Sequence, residues 1–353
     1  MSSAPPNSLS LFASGAPRRI LVATKYRFIG DTLLAVPLLR AVHERWPDAS
    51  VCLLTGGKAQ EMLQGCPYVQ ETVDFDPYRA SDEGFRRFLS VSLALRRRRF
   101  DLALVCNRSF HSALIARITG ARVRVGWSGF QKRDFLLTHT TPYDPDAPEI
   151  ESYLDLLRRI APQARTSPAL ELWPTPTERE RTRPLLPTGA PLIGLQPGAS
   201  HADKRWPIER YGELCERLLV ERPGAAFVLL GGPDEQNCAE SLLPLLSDAA
   251  RARTRSLAGA LSLRDTLAAI AGLDLFVSGD TAIRHGAVAV GTPTVALFGP
   301  TSVRKWGNAS PPRHLALAGA GRKVADIAVE EVLEGALGAC AAGSSGSVCE
   351  AKV

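Results

Sequence analysis

The 353-residue sequence contains no apolar run that approaches the ~18–20 residues of a membrane-spanning helix. Its seven cysteines include no C-x-x-C pair, and no histidines lie at zinc-ligand spacing around them, which argues against a zinc site. Several cysteines lie in apolar, strand-like segments, so we expect reduced core thiols and a cytoplasmic protein. Residues 1–18 have a short apolar patch without a preceding basic region, which predicts a disordered leader and no signal peptide.

A dinucleotide-binding fingerprint is missing as well. No G-x-G-x-x-G follows the first predicted strand, which argues against an NAD-dependent enzyme. The formal net charge is +6 and the pI is about 9.0, so an anionic partner is expected: a nucleotide sugar, an acidic lipid head group or a nucleic acid. Nucleic acid is disfavoured because no basic stripe is interleaved with aromatic residues, and the run 96–99 complements the dipole at the end of a predicted helix.

Strand and helix signals alternate along most of the chain. In the first half, apolar runs predict strands at 19–24, 51–55, 72–75, 101–106 and 122–127. In the second half, the corresponding runs lie at 191–198, 225–232, 274–280 and 294–300. Strands that alternate with helices favour a mostly parallel sheet covered on both faces.

A proline-rich stretch separates the two halves, which indicates two domains. We predict an N-terminal Rossmann-like domain over 19–165, a linker over 166–190, a C-terminal Rossmann-like domain over 191–340 and a flexible tail over 341–353. In such sheets ligands bind outside the carboxyl ends of the strands, and two facing halves place the site in the cleft between them. The pattern alone gives two α/β domains, which two-domain dehydrogenases and binding proteins share.

Four blocks of sequence distinguish among these kinds of two-domain α/β protein. They are RILVATKYRFIGDTLLAVPLLRAVHERWPDASVCLLTG, IGLQPGASHADKRWPIERYGELCERL, FVLLGGPDEQ and SLAGALSLRDTLAAIAGLDLFVSGDTAIRHGAVAVGTPTVALFGPT. In order and spacing they resemble glycosyltransferase family 9, the heptosyltransferase family. The resemblance implies the GT-B architecture, with an acceptor-side N-terminal domain and a nucleotide-sugar-binding C-terminal domain. It also implies an inverting, metal-independent transfer from an ADP-sugar, ADP-heptose in particular, without a cofactor.

Three regions depart from the family pattern. Ala282 stands where the family usually has glycine, and Arg284 adds a charge before His285. The loop YRFIGD lacks the serines that are common there, and the segment 304–306 is Arg-Lys-Trp. The first departure bears on a phosphate-binding loop, because alanine supplies the same backbone N–H but does not readily adopt a left-handed conformation.

Two D-x-D strings bear on the expectation that transfer needs no metal. Asp74-Phe75-Asp76 ends a predicted strand, and Asp144-Pro145-Asp146 lies in a proline loop. This spacing holds a divalent metal in another glycosyltransferase architecture, but the surrounding blocks of that architecture are absent. We therefore attribute both strings to chance and predict no metal.

With the family match, Asp31 is the candidate base that takes the proton of the acceptor hydroxyl. Its position between the first strand and the first helix also fits a helix N-cap, the role that position alone would favour. Lys204 is the candidate ligand of the leaving diphosphate, and the alternative is a solvated loop lysine. Ser200 either donates to a phosphate oxygen or closes the turn at 197–198.

The segment 279–285 enters a helix, whose first N–H groups can bind phosphate. Thr281 and Ala282 are therefore donor-site candidates, with Asp280 ordering the loop or contacting sugar hydroxyls, and the alternative is that Asp280 or Thr281 caps the helix. His285 is included in the donor site, although packing is the commoner role of such a histidine. Glu235 either accepts from the ribose diol or simply favours the first turn of its helix.

Three arginines, Arg79, Arg108 and Arg133, are candidates for binding an anionic acceptor. In the family this acceptor is usually the lipopolysaccharide inner core, made at the cytoplasmic face of the inner membrane, so we expect a cytoplasmic enzyme with peripheral membrane contact. Two alternatives remain open at this point. One is a tailoring transferase that glycosylates a protein or a small natural product, and the other is a nucleotide-sugar-binding protein without catalysis.

Overall fold

The computed structural model describes residues 11–12, 15–76 and 84–344, and the chain divides into two compact units, Met1–Leu170 and Glu171–Val353. Most of the predicted leader and of the predicted tail lies outside the described residues, as does Arg79. The last helix continues to residue 344, beyond the predicted start of the tail.

The first unit is a parallel sheet of six strands with helices between them. Its strands are β1 (Arg19–Ala23), β2 (Ser50–Thr55), β3 (Glu71–Asp74), β4 (Leu102–Val105), β5 (Val123–Trp127) and β6 (His139–Thr141). Its helices are α1 (Ile29–Leu33), α2 (Val36–Arg45), α3 (Gly57–Met62), α4 (Gly84–Arg96), α5 (Phe110–Ile118) and α6 (Glu149–Arg158).

The strand order in this sheet is β3-β2-β1-β4-β5-β6, so the order reverses between β1 and β4. Both neighbours of β1 run parallel to it, with Ile20 opposite Val51 on one side and opposite Leu102 on the other. The central strands are buried on both faces, which explains why they appear in the sequence as unbroken apolar runs.

The second unit repeats this plan. Its strands are β7 (Leu192–Gln196), β8 (Ala226–Leu229), β9 (Thr254–Ser256), β10 (Leu275–Gly279), β11 (Thr294–Phe298) and β12 (His314–Ala318). Its helices are α7 (Pro176–Thr182), α8 (Ile208–Glu221), α9 (Gln236–Glu240), α10 (Asp248–Ala252), α11 (Leu263–Ile270), α12 (Ala282–Ala289), α13 (Val303–Trp306) and α14 (Val329–Ser344). The order is β12-β11-β10-β7-β8-β9, all parallel, with the reversal between β7 and β10.

The predicted fold class, two Rossmann-like α/β domains, is confirmed by these two sheets. The strands β6, β9 and β12 at the sheet edges were not predicted, and β6 and β9 are three-residue segments without an apolar run. The segment that follows β1 forms two helices, because α1 ends at Leu33 and a new helix begins at Val36 with a proline in its first turn.

The proline-rich stretch 166–190 contains regular structure in its second half. Helix α7 starts with a capping box, in which the Thr175 hydroxyl accepts from the Glu178 amide and the Glu178 carboxylate accepts from the Thr175 amide. Glu178 also pairs with the buried Arg264 at 2.7 Å, which fastens α7 to α11. Residues from Glu171 onward therefore belong to the second unit.

Candidate active site

In the first unit, a pocket of about 230 Å³ lies at the carboxyl ends of β1 and β4. Ligands of parallel sheets bind where the strand order reverses, as it does between these two strands. The lining comes mainly from the loops after β1 and β4: Lys25, Tyr26, Arg27, Phe28, Asn107, Arg108, Ser109 and Gln131. Three of these side chains are basic, so the pocket suits an anionic ligand.

Asp31 lies in the first turn of α1, next to this pocket. The N-cap of that helix is Phe28, and no side chain caps it. The carboxylate of Asp31 instead contacts the ammonium of Lys25, and 14% of its side chain is exposed. The structure therefore contradicts the capping alternative and leaves a nearly buried carboxylate that retains access to solvent.

Lys25 links Asp31 to a second carboxylate. Its Nζ lies 3.0 Å from Oε1 of Glu149, whose side chain is completely buried. Glu149 is the first residue of α6, where the helix dipole favours a negative charge. The hydroxyl of Tyr143 donates to Oε2 of Glu149 at 2.7 Å. Two carboxylates thus share one ammonium, and Tyr143 holds the deeper of the two.

These neighbours set the basicity of Asp31. Burial raises its pKa above the ordinary value, and the negative charge of Glu149 raises it further. The positive charges of Lys25 and Arg108 act in the opposite direction, and the net pKa is raised. A carboxylate with a raised pKa is a stronger base, which suits general-base catalysis.

The arginines predicted to bind the acceptor have different environments. Arg108 is exposed, and its guanidinium lies over the rings of Phe130 and Tyr143, at 5.4 and 5.1 Å from their centroids. Arg133 is fully buried, donates to the carbonyl oxygen of Ser109 at 2.9 Å, and has its pKa lowered by burial to about 10. The structure therefore corrects the prediction for Arg133, because its guanidinium holds backbone inside the unit. Arg79 lies outside the described residues.

In the second unit, the loops after β7 and β10 bring Lys204 and Asp280 together. Lys204 ends a short 3-10 turn (Ala202–Lys204), and its Nζ lies 3.5 Å from Oδ2 of Asp280. The other carboxylate oxygen, Oδ1, lies 3.6 Å from Nη2 of Arg284. One carboxylate therefore lies between two cations at the point where the strand order of this unit reverses, between β7 and β10.

Thr281 is the N-cap of α12, and its hydroxyl accepts from the amide of Arg284 at 3.2 Å. The capping alternative is therefore confirmed for Thr281. The same hydroxyl donates to Oε1 of the buried Gln196 at 2.8 Å. Ala282 is the first residue of α12 and is not among the residues with positive φ, so alanine is accommodated there without strain.

Gln196 extends this network to the loop after β8. Its Nε2 donates to Oε2 of Glu235 at 2.9 Å. Gly198 allows this approach, since a Cβ at that position would lie 2.6 Å from Cβ of Glu235. The loops after β7, β8 and β10 are thereby joined by side chains. Ser200 is exposed in the loop after β7.

Two of the departures from the family pattern are physically linked. The guanidinium of Arg284 is fully buried and donates to the carbonyl oxygens of Gly307 at 2.8 Å and Trp306 at 2.5 Å. Burial lowers its pKa to about 10. The added charge at 284 therefore holds the unusual 304–306 segment and is not available to bind a phosphate directly.

His285 is buried beside this guanidinium. Nη2 of Arg284 lies 3.0 Å from Nδ1 of His285, and Nδ2 of Asn308 lies 3.1 Å from the same nitrogen. Burial and the charges of Arg284 and Lys204 lower the pKa of His285 well below its ordinary value, so the ring is neutral. The geometry gives His285 a loop-supporting role in place of the donor contact that was expected.

The two D-x-D strings serve other purposes. Asp74 pairs with Arg87 at 3.0 Å, and Asp76 pairs with Arg27 at 2.8 Å. In the second string, Oδ1 of Asp144 accepts from the amide of residue 146 and forms a local turn. Within the described part of the chain, no group of three or more potential ligands could hold a metal ion. In the same part, no helix is both long and apolar enough to cross a bilayer.

Sequence reasoning missed Lys25, Glu149, Tyr143 and Gln196. Lys25 had a signal, because it lies in the same short loop as the candidate base and follows a buried strand. Gln196 is a polar residue at the end of an otherwise apolar strand, which is also where sites form. Glu149 carried no distinguishing signal, since an acidic residue at the start of a helix is common on protein surfaces.

Comparison with known proteins identifies the family of this chain. A model of glycosyltransferase family 9 (heptosyltransferase) matches residues 88–326. Lipopolysaccharide heptosyltransferase 2 of Salmonella typhimurium is 32% identical over 287 residues, which cover 78% of this chain and 81% of the relative.

Solved structures give the same result. The structure of E. coli ADP-heptose lps heptosyltransferase II has a TM-score of 0.78 and 27% identity, and the match covers 92% of this chain and 99% of that chain. A glycosyltransferase family 9 structure from Veillonella parvula, 19% identical over 92% of this chain and 97% of that chain, has a TM-score of 0.80 and supports the fold. These matches establish that the chain is a glycosyltransferase and belongs to glycosyltransferase family 9, the heptosyltransferase family.

Proposed function

We propose that this enzyme transfers a heptose from ADP-heptose to a hydroxyl group of the lipopolysaccharide inner core, with inversion at the anomeric carbon. The donor is inferred from the E. coli ADP-heptose lps heptosyltransferase II, and the acceptor from the Salmonella typhimurium lipopolysaccharide heptosyltransferase. The observation that carries the proposal is the nearly buried Asp31, whose pKa is raised and which contacts solvent beside a basic pocket.

Asp31 acts as the general base. Its carboxylate takes the proton from the acceptor hydroxyl while the hydroxyl oxygen forms a bond to the anomeric carbon of the donor. The bond from that carbon to the diphosphate oxygen breaks, and ADP leaves with the electron pair. Lys25 and Glu149 are positioning residues, because Lys25 fixes the carboxylate of Asp31 and Glu149 fixes Lys25.

The second unit stabilises the leaving diphosphate. Lys204 supplies a positive charge for the phosphate oxygens, and the first amides of α12, at Ala282 and beyond, supply hydrogen-bond donors at the positive end of a helix dipole. Asp280 orders this loop through its contact with Lys204, Glu235 accepts from the ribose diol, and Ser200 donates to a phosphate oxygen.

Arg108 binds the anionic groups of the acceptor, because it is exposed at the rim of the pocket. The acceptor is a glycolipid, and we propose that the enzyme works at the cytoplasmic face of the inner membrane by peripheral contact. The basic pI of about 9.0 supports this location, because the acceptor and the lipid surface are both anionic.

A donor screen tests the proposal. Thermal stabilisation is measured with ADP, UDP, GDP and CDP, and transfer is then measured with the matching sugars, with and without EDTA. We expect selective stabilisation by ADP, equivalent to ~2.7 kcal/mol at ~100 times the dissociation constant, and transfer that EDTA does not change. Selective stabilisation by UDP or GDP would refute the ADP-heptose assignment. Transfer that stops in EDTA and returns with Mg²⁺ would refute the metal-independent mechanism.

A further inference from the structure

Helix α4 presents a row of large apolar side chains to solvent. Phe85, Leu89 and Leu93 are 75%, 43% and 46% exposed. They are spaced four residues apart, so they lie on one face of the helix, above one another. Single exposed apolar residues are common on protein surfaces. Three on the same face of one helix form a continuous apolar stripe, which is typical of an interaction surface.

The same segment carries a strong charge of one sign. Residues 84–99 contain six arginines, at positions 86, 87 and 96 to 99, and no aspartate or glutamate. Arg86 and Arg97 are exposed, and helical geometry places both beside the stripe, about 60–80° around the axis from Leu89. Positive charge thus lies on one side of the apolar stripe, near each of its two ends.

The opposite side of α4 is anchored to the first unit. Leu95 is buried in the core of the first unit, and Phe88 contacts the ring of Phe75 with centroids 6.1 Å apart. Phe75 in turn contacts Tyr26 edge to face at 5.3 Å, and Tyr26 follows Lys25 in the loop that leads to Asp31. The exposed stripe is therefore held in a fixed position relative to the loop 24–28, which leads to Asp31 and is called the catalytic loop below.

We propose that this face of α4, formed by Phe85, Leu89 and Leu93 with Arg86 and Arg97, docks on an anionic lipid surface. Apolar side chains enter the boundary between head groups and acyl chains, and arginines beside them attract anionic lipids. The inference rests on the proposed glycolipid acceptor, because docking here would place the catalytic loop near the membrane that carries it.

Charge favours a lipid surface over a second copy of the chain. A symmetric dimer through this face would bring the same arginines of both copies together, which repels. A nucleic acid would satisfy the arginines and leave the apolar stripe exposed. An anionic bilayer satisfies both parts of the surface.

Vesicle co-sedimentation of the full-length enzyme tests the proposal. The vesicles contain an equimolar mixture of phosphatidylethanolamine and phosphatidylglycerol, and vesicles of phosphatidylcholine alone serve for comparison. The variants are the triple substitution Phe85→Ser, Leu89→Ser, Leu93→Ser and the double substitution Arg86→Gln, Arg97→Gln. Val220→Ser is the matched control, because Val220 is an exposed apolar residue, 77% exposed, on α8 of the second unit.

We expect the parent enzyme and Val220→Ser to bind the anionic vesicles, and the triple variant to bind at least about tenfold more weakly. The double arginine variant should lose about fivefold in affinity per charge at low salt. Melting temperatures should be unchanged, since the replaced side chains are exposed. Unchanged vesicle binding in the triple variant would overturn the proposal, as would loss of a dimer as the only effect.

Transfer to a deacylated, soluble acceptor separates this proposal from the proposed function. The α4 variants should transfer to the soluble acceptor at the parent rate and lose activity only toward acceptor embedded in vesicles. Vesicle binding through α4 without any heptosyl transfer would refute the proposed function and leave the lipid surface intact. Normal transfer together with no vesicle binding would refute the lipid surface alone.

Discussion

The two units have the same topology but opposite charge patterns at their strand reversals. In the first unit, the loop after β1 brings one cation, Lys25, between the carboxylates of Asp31 and Glu149. In the second unit, the loops after β7 and β10 bring one carboxylate, Asp280, between the cations Lys204 and Arg284. One frame thus carries a cation between two carboxylates in one unit and a carboxylate between two cations in the other.

Under the proposed mechanism, this difference gives each unit a distinct chemical role. Burial raises the pKa of Asp31, the charge of Glu149 raises it further, and a raised pKa is what a base needs. In the second unit, the buried Arg284 helps to neutralise Asp280, which leaves the positive charge of the part-exposed Lys204 for a ligand such as a diphosphate. The parallel sheet supplies the position of both clusters, and the side chains alone decide which half takes a proton and which half stabilises a leaving anion.

The largest expected effect comes from removing the base. Asp31→Asn keeps the size of the side chain but cannot take a proton, so we expect turnover to fall by ~10²–10⁴. Affinity for ADP should stay near the parent value, because the proposed ADP contacts lie in the second unit. Steady-state kinetics and ADP titration measure the two effects.

Asp146→Asn is the control for this substitution, since Asp146 is an exposed aspartate of the same unit. Neither the melting temperature nor the rate should change in the control. Because Asp31 does not cap α1, the Asn variant has no capping interaction to lose. Parent-like turnover in Asp31→Asn would remove Asp31 from the mechanism.

A smaller effect is expected when the charge of Lys204 is removed. Lys204→Ala removes one of the two cations beside Asp280, and a charged hydrogen bond to phosphate contributes ~1.5–3 kcal/mol, so donor affinity should fall about ten- to a hundredfold. The fold should persist, because Arg284 still neutralises Asp280. Lys323→Ala, an exposed lysine in the same unit, is the control and should bind ADP normally. Equal affinities in the two variants would show that Lys204 is only a solvated lysine.

The smallest expected effect tests the second carboxylate of the first unit. Glu149→Gln keeps the shape of the side chain but removes a charge that raises the pKa of Asp31, so that pKa should fall. The base must be deprotonated to act, and the acid limb of the kcat/KM profile should therefore move to lower pH. Because a weaker base transfers the proton less well, the plateau rate should drop about two- to fivefold.

The pH profile distinguishes positioning from general destabilisation. The groups that act on Asp31 besides Glu149 are Lys25 and Arg108, and both keep their charge in the variant. Glu151→Gln on the same helix is the control, because Glu151 pairs with Arg158 at the surface. A loss of rate in Glu149→Gln without movement of the acid limb would contradict the proposed influence of Glu149 on the base.

Local patterns in the sequence were enough to predict much of the fold. The apolar runs that became β1, β4, β7 and β10 are buried on both faces, and such strands leave an unmistakable signal. The strands β6 and β9 were missed because they are three residues long, lie at the edges of the sheets and contain no apolar run. Helix α7 had a readable capping box, Thr175 to Glu178, that the many prolines around it obscured.

The candidate site, like the fold, could be predicted from the sequence only in part. The sequence by itself determined the two α/β domains, the family, and the positions of Asp31, Lys204 and Asp280 after strands, because strand ends are local features. Only the tertiary structure decided that Lys25 bridges Asp31 to Glu149, 118 residues beyond it in the sequence, and that Arg284 is buried against the 304–306 segment. Charge pairing and burial depend on which distant segments meet, and a carboxylate or a guanidinium has the same local pattern whether it faces water or a partner in the core.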